Sequence, residues 1–522
     1  MRTFEIAQLA TLLPGVISLF LPPHKRPLWR HYLPILGVGL IVLQLVFEGY
    51  RWQMIPAYAL TGAFLLAFVR ALTRVPRPPL PASRWRTVRA LAGAVVVLIV
   101  YGIATLVPTL LPVFELPEPS GHLRVGTTRF SLIDQSRPEL FTADPSDKRE
   151  LLIQVWYPAE WSPDAEPEPF WGYPKEIASR MTRSLGLPSF LFDHFALVKS
   201  HSYRDAAPAT LERSYPVLVF SHGYNQGIPP QNTVQMEELA SHGYVVFSIG
   251  HSYESLVLIH PDGRAVTVSE EQMQRARDQS KADGPLIRKL IASEDAAERA
   301  DLLRQVAEAG PVFNESVAIW VQDTRFLLDE LARLDGKKAP GALAGRLDLT
   351  RVGIFGMSFG GTVATDVCLT DSRCRAGINM DGLQYGLAAL PGSALKTPFM
   401  FMTSEAVAHM NEPVFRRAQG DAWYMTVKGS THFNYTDFSL ISPLFSKVGM
   451  LGPIEGRRME RILNVYIRAF FDRQLAGRDS PLLKGASSDY PEVILQTRAG
   501  TAHVGPASLT GAPATLRPNS AP

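Results

Sequence analysis

Ser358 stands at the centre of Gly356-Met-Ser-Phe-Gly360, directly after the apolar run Val352-Gly-Ile-Phe355. A buried strand that turns sharply into a helix lifts such a serine clear of a sheet. The crowding between strand and helix demands residues without bulk two positions before and two after it. The strand before, the helix after and the additional Gly361 favour a nucleophile over a chance match of this short pattern. The amide of Phe359 opens the helix and points toward the place where an oxyanion would form.

A serine hydroxyl is a weak nucleophile at neutral pH and needs a base, itself oriented by a carboxylate. His432, in Lys428-Gly-Ser-Thr-His-Phe-Asn-Tyr-Thr-Asp437, lies a few residues beyond an apolar strand ending at Val427, late in the chain where the base is expected. Two carboxylates compete to orient it. Asp381 follows the next strand after the nucleophile and Glu405 the one after that, and spacing leaves them level. Asp437 is too near His432 in sequence to be preferred and reads as a surface residue. Ser221-His-Gly-Tyr224 follows the apolar strand 215–220, and there the amide of Tyr224 is the candidate for a second oxyanion donor. His222 reads as a structural histidine shaping that turn.

The elements that must position these residues alternate. Residues 123–133 and 150–157 read as an opening antiparallel hairpin, and 159–212, rich in proline and aromatics, as helices and loops over the sheet edge. Strands are expected at 215–220, 244–249, 376–380, 398–402 and 423–427. Helices are expected at 232–242, 314–334 and 454–475, with a charged helical insertion at 252–311 placed as a cap. Strands alternating with helices give an α/β fold with a mostly parallel sheet covered on both faces.

Of the 522 residues, 46% are apolar and 19% charged, so part of the apolar content is expected to meet lipid. A net charge of +3 with no long basic run excludes a nucleic-acid partner. No Cys/His cluster or His-Glu-x-x-His suggests a metal, and no cofactor is implied. The two cysteines, Cys368 and Cys374, fit either a disulfide across five residues or two buried thiols.

Four charge-free stretches, 6–24, 31–47, 52–69 and 90–114, are each near the length of a membrane-spanning helix. A cleaved signal peptide is disfavoured for the first, which follows Glu5 and lacks a small-x-small cleavage pattern. Basic residues gather in the first loop (Lys25, Arg26, Arg30) and the third (Arg70, Arg74, Arg77, Arg84, Arg86, Arg89), against Arg51 alone in the second. This places both chain ends outside the cytoplasm. Trp29, Tyr32, Tyr50, Trp52 and Trp85 fall near the expected boundaries. The expected organisation is a four-span region over 1–116, a soluble domain over 117–495 and a disordered tail over 496–522.

Phe220-Ser-His-Gly-Tyr224, Gly356-Met-Ser-Phe-Gly-Gly361, Asn379-Met-Asp-Gly382, Pro398-Phe-Met-Phe-Met-Thr-Ser-Glu405 and Lys428-Gly-Ser-Thr-His-Phe-Asn-Tyr-Thr-Asp-Phe438 together resemble the plasma, lipoprotein-associated platelet-activating factor acetylhydrolases and their bacterial relatives. The resemblance covers roughly 121–475 and implies an α/β-hydrolase with a metal-independent esterase triad. It matches Ser358 to the nucleophile, Asp381 to the acid in preference to Glu405, His432 to the base, and the amides of Tyr224 and Phe359 to the oxyanion hole. The four-span region is a departure from the secreted enzymes, as are Met357 and Tyr224. The expectation is a multi-pass inner-membrane esterase with its catalytic domain outside the cytoplasm, acting on a lipid or other lipophilic ester with a short acyl chain. A general carboxylesterase of dienelactone-hydrolase or cutinase kind and a non-catalytic membrane sensor are the alternatives.

Overall fold

The computed structural model describes residues 1–22, 25–27, 32–73, 84–163, 165–334 and 343–500. Its strands are β1 (Arg124–Pro138), β2 (Lys148–Ala159), β3 (Pro167–Pro169), β4 (Lys199–Arg204), β5 (Tyr215–Ser221), β6 (Val245–His251), β7 (Val257–Ile259), β8 (Ala265–Thr267), β9 (Leu347–Met357), β10 (Cys374–Met380), β11 (Phe399–Ser404), β12 (Ala422–Val427) and β13 (Val493–Arg498). Eleven of them form one sheet in the order β13-β12-β11-β10-β9-β5-β6-β2-β1-β4-β3, and β7 and β8 form a separate hairpin.

The centre of the sheet, β6-β5-β9-β10-β11-β12, is parallel throughout. Strands β5, β6, β11 and β12 are buried along their whole length, which is why they read as continuous apolar runs and not as alternating ones. The antiparallel hairpin β1-β2 flanks β6 as expected from the sequence.

Helices cover both faces. On one, α9 (Pro311–Leu334) and α10 (Phe359–Thr370) bury Trp320, Leu327, Leu328, Val363 and Val367 against Val217, Val219, Phe247 and Ile354. On the other, α6 (Thr233–Ser241) and the helix Gly456–Ala476 bury Met236, Leu463, Ile467 and Phe471 against Leu218, Phe220, Phe355 and Met400.

Three expectations need correction. The segment 159–212 contains α5 (Pro174–Ser184) but also β3 and β4, which extend the sheet. The insertion 252–311 forms α7 (Glu270–Ala292) and α8 (Ala296–Ala309), and these join the helix layer through Ala276, Leu290, Leu303 and Val306 instead of standing apart as a cap. The tail does not begin at 496, because β13 pairs antiparallel with β12 from Val493 to Arg498. It runs from apolar Val493-Ile-Leu495 to polar Gln496-Thr-Arg498, with Val493 buried and Ile494 exposed, as fits a half-exposed edge strand.

The four apolar stretches form helices α1 (Thr3–Leu19), α2 (Leu33–Phe47), α3 (Ile55–Thr73) and α4 (Arg84–Leu110). Two segments, Trp52–Thr73 and Arg84–Leu110, are long and apolar enough to cross a membrane. At ~1.5 Å per residue, the 17 residues of α1 and 15 of α2 reach only about 25 Å and about 22 Å, against a hydrocarbon core of roughly 30 Å. The bundle has its polarity inside out: Glu5, Gln8, Gln44, Arg51, Gln53 and Thr61 are buried, whereas Ile35, Val46, Leu72, Val96, Ile99 and Leu106 are exposed.

Arg51 joins Glu5 at 2.8 Å and the carbonyl of Leu111 at 3.0 Å, so the starts of α1 and α3 and the end of α4 meet at one end of the bundle. That end sits on the large domain. Gln53 Nε2 lies 2.8 Å from His194 Nδ1, and Phe114 packs edge-on against Phe170 and Phe195. The described basic residues of the two expected cytoplasmic loops, Lys25, Arg26, Arg70, Arg84, Arg86 and Arg89, fall at the opposite end. Trp29, Arg30, Arg74 and Arg77, and the tail residues 501–522, lie outside the described residues.

Candidate active site

Ser358 occupies the turn between β9 and α10 with φ 57° and ψ −125°, a strained conformation for a residue with a side chain. The flanking glycines have a steric reason. A Cβ on Gly356 would lie 2.2 Å from the carbonyl carbon of Gly360, and one on Gly360 would lie 1.9 Å from the carbonyl oxygen of Ser221. The amide of Ser358 donates to the Met380 carbonyl at 2.7 Å, tying the turn to the end of β10.

Asp381 follows β10 directly, also in the left-handed region at φ 56°. Its amide donates to Met402 O at 2.7 Å. Its Oδ1 accepts the Ser404 amide at 2.6 Å and its Oδ2 the Ser404 hydroxyl at 3.1 Å, so the buried carboxylate is held at the end of β11.

His432 opens a short 3-10 turn, His432–Tyr435, five residues after β12. Asn434 Oδ1 accepts the amides of Thr431 and Gly452, both at 2.8 Å, and fixes that turn. The imidazole then bridges the other two groups: Nδ1 lies 2.8 Å from Asp381 Oδ2 and Nε2 lies 3.0 Å from Ser358 Oγ. Three residues spread over 74 positions thus form one continuous relay, with Nδ1 donating to the carboxylate and Nε2 left to accept the serine proton.

Tyr224 lies beside this relay, in the loop after β5. A Cβ on Gly223 would come 3.5 Å from Ser358 Cβ, and the rings of Tyr224 and Phe359 are 4.7 Å apart. The Gly223 amide is taken by Gln231 Oε1 at 3.2 Å, but the Tyr224 amide has no acceptor among the described residues. The Phe359 amide, first in α10, is one of the helix-opening amides without an intrahelical partner.

Other groups weighed from the sequence are engaged elsewhere. Glu405 is exposed and accepts the Gly429 amide at 2.7 Å, so it shapes the approach to His432 without touching its ring. His222 is fully buried, with Nδ1 2.7 Å from Gly223 O and Nε2 2.8 Å from Ser255 Oγ. Burial pushes its pKa down to about 3, so it stays neutral. Asp437 is not a surface residue. It is buried at the start of α6, where it accepts the amides of Thr233 and Val234 at 2.8 and 3.4 Å, as a carboxylate at a helix N-terminus does. The two cysteines are joined as the disulfide Cys368–Cys374, which links the end of α10 to the start of β10.

No spacing or motif pointed to Ser404 as the residue that holds Asp381, nor to the polar groups behind Tyr224. Glu254, Gln272, Ser316 and Trp320 come from three separate segments and follow no recognisable spacing.

A nucleophile, a base and an orienting carboxylate at one rim of a parallel sheet are what acyl transfer needs. The comparisons agree. The ferulic acid esterase from Streptomyces cinnamoneus superposes with a TM-score of 0.55 at 27% identity, covering 74% of this chain and 99% of that one. Its likeness identifies the sheet and helices as an esterase-type α/β-hydrolase fold. A probable 1-alkyl-2-acetylglycerophosphocholine esterase from Arthroderma benhamiae is 25% identical over 414 residues, 73% of this chain and 93% of that protein. The platelet-activating factor acetylhydrolase of Cavia porcellus is 24% identical over 345 residues, 62% of this chain and 72% of that protein. The family model for platelet-activating factor acetylhydrolase, isoform II, matches residues 112–479, from the end of the bundle through the last long helix. The chain is therefore a carboxylic ester hydrolase and belongs to the platelet-activating factor acetylhydrolase, isoform II, family.

Proposed function

We propose that the protein is a membrane-anchored serine esterase that cleaves lipophilic esters with short acyl chains, phospholipids included, through an acyl-serine intermediate. The observation that carries this reading is the relay Ser358–His432–Asp381, with contacts of 3.0 and 2.8 Å.

His432 Nε2 takes the proton of Ser358 Oγ as the oxygen attacks the ester carbonyl, and Asp381 holds the ring and stabilises the imidazolium. The amides of Tyr224 and Phe359 receive the oxyanion, and removing one such donor costs about 3 kcal/mol of transition-state stabilisation. Collapse of the tetrahedral species passes the proton from His432 to the leaving alcohol. Water then enters by the same route, its proton going to His432, and releases the acid and the free serine.

The lipophilic substrate is supported by the names of the relatives and by the apolar bundle fastened to the domain. Its exposed apolar surface, the basic residues at its far end and the disulfide in the hydrolase domain support a multi-pass anchor in the inner membrane with catalysis outside the cytoplasm. Protease added to intact spheroplasts should then degrade the domain, and full protection would overturn that orientation.

A fluorophosphonate probe should label the detergent-purified protein and leave Ser358→Ala unlabelled. Hydrolysis of acetyl esters should greatly exceed that of long-chain phospholipid esters. Equal turnover of the two would sink the short-chain part, and labelling of folded Ser358→Ala would sink the serine mechanism. A second reading, a general carboxylesterase, is favoured by the likeness to the ferulic acid esterase over nearly its whole length. Faster turnover of soluble phenolic esters than of acetylated phospholipids would select it.

A further inference from the structure

Glu254 is fully buried, just beyond β6, with no cation in contact with its carboxylate among the described residues. Its oxygens accept from Ser316 Oγ at 2.5 Å, Trp320 Nε1 at 2.7 Å, Tyr224 Oη at 3.0 Å and Gln272 Nε2 at 3.4 Å. Two N–H donors and two hydroxyls face it, surroundings that suit a carboxylate accepting hydrogen bonds. Burial still pushes its pKa up, because a charge removed from water without a paired cation costs stability. The return for that cost lies in what the carboxylate holds.

It holds the loop after β5. Gln272 donates to Tyr224 Oη at 3.0 Å, and that hydroxyl lies 3.0 Å from Glu254 Oε1 and 2.8 Å from Ser316 Oγ. The backbone carbonyl of Glu254 accepts the Asn225 amide at 2.9 Å, and Asn225 is itself in the left-handed region at φ 59°. The neighbouring residues complete a seam between the two loops: Ser255 Oγ lies 2.8 Å from His222 Nε2, and the Leu256 amide 3.0 Å from Gly227 O. Tyr224 is thus fixed at both ends, by its own backbone neighbours and by its hydroxyl, with its ring against Phe359.

We infer that Glu254 is a positioning residue for the oxyanion site, aiming the Tyr224 amide by anchoring the tyrosine hydroxyl in a buried network with Gln272, Ser316 and Trp320. The inference rests on the proposed role of the Tyr224 amide in the serine mechanism. A strained loop with a free hydroxyl would let that amide rotate, and a donor displaced by a fraction of an ångström loses much of its worth to the transition state while the ground-state substrate scarcely registers the change.

The test uses the full-length protein in detergent, with folded active sites counted by fluorophosphonate titration. Glu254→Ala should lower kcat on an acetyl ester by roughly 10–100-fold with KM within about twofold. A trifluoromethyl ketone, which adds to the serine as a tetrahedral hemiketal, should bind more weakly by a similar factor. Glu254→Gln keeps one acceptor oxygen for the tyrosine hydroxyl while its amide group faces Trp320 Nε1, and should recover part of both. Unchanged kcat and ketone affinity in Glu254→Ala would overturn the inference, and so would a kcat loss with full ketone affinity. Should Glu254→Ala fail to fold, Tyr224→Phe decides on the same two measurements, since it removes only the hydroxyl link. Hydrolysis persisting in Ser358→Ala is a separate result that removes the serine mechanism itself, whatever the Glu254 variants do.

Discussion

Ser404 grips Asp381 with both its amide and its hydroxyl, at 2.6 and 3.1 Å. Oδ2 is shared between that hydroxyl and His432 Nδ1, so the orientation of the imidazole is set at the end of β11. Ser404→Ala keeps the amide contact and loses the other, and kcat should fall about tenfold, the worth of one hydrogen bond to a charged group. Asp381→Asn presents the wrong partner to Nδ1–H and should cost about 10⁴-fold in kcat with little change in KM. Steady-state hydrolysis of a soluble acetyl ester measures both. A Ser404→Ala loss as deep as that of Asp381→Asn would mean the hydroxyl does more than hold the carboxylate.

The elbow tolerates no added carbon at Gly360, where a Cβ would meet the Ser221 carbonyl oxygen at 1.9 Å. Backbone on both sides cannot give way as a side chain would. Gly360→Ala should destabilise by ~3 kcal/mol or more and abolish labelling of Ser358. Thermal unfolding in detergent, read beside fluorophosphonate labelling, checks this, and a variant with wild-type melting and full labelling would contradict the packing described.

Stability should fall as the solution becomes more alkaline, and Glu460 contributes to this. Burial pushes its pKa from 4.5 up to about 8, with Gln235 donating to it, and Asp437 nearby is raised by burial and by Glu460. The native state therefore keeps a proton that the unfolded chain releases. Stability present below about pH 4.5 is lost progressively as pH climbs through about 8. Glu460→Gln should flatten the decline in melting temperature between pH 5 and pH 8 by about 2–4 °C or more. Parallel melting curves for the two proteins across that range would show that Glu460 does not titrate there.

The bundle hides an ion pair, Arg51–Glu5, that links α1 to the start of α3 and, through the Leu111 carbonyl, to the chain leaving α4. Glu5→Gln leaves a buried guanidinium without its carboxylate and should cost about 3–5 kcal/mol, loosening the bundle at the end that docks on the hydrolase domain. The double variant Glu5→Gln, Arg51→Met should recover much of that loss. Melting in detergent micelles distinguishes them, and a single variant as stable as wild type would show that the pair carries no weight.

Much of the active site was legible because its demands are local. A strand-to-helix turn crowds the backbone so tightly that only glycine serves at positions 356 and 360, and the crowding writes itself into a short motif. The parallel strands were legible for a similar reason: buried on both faces, they are apolar without interruption. Expectations failed where the signal was shared. β13, Val493-Ile-Leu-Gln-Thr-Arg498, has no alternation to mark it as a strand, and its place at the sheet edge is conferred by pairing with β12. The charged helices α7 and α8 looked detachable, yet a few apolar positions on each suffice to bind them to the main layer.

The chain by itself determined the nucleophile, the base, the succession of strands and helices along it and the apolar helices at the start, because each follows from the bulk, periodicity or spacing of neighbours. Spacing left Asp381 and Glu405 level and only the family resemblance preferred Asp381; the physical reason it meets His432 lies in three dimensions. Both carboxylates follow parallel strands, but Asp381 leaves β10 in a left-handed turn that directs it to His432, while Glu405 enters a short 3-10 turn and takes the Gly429 amide. The same holds for the hydrogen-bonded partners of Tyr224, the farthest of which, Ser316, is 92 residues away. Hydrogen bonds across such separations depend on where helices pack, and packing leaves no periodic trace in the order of the residues.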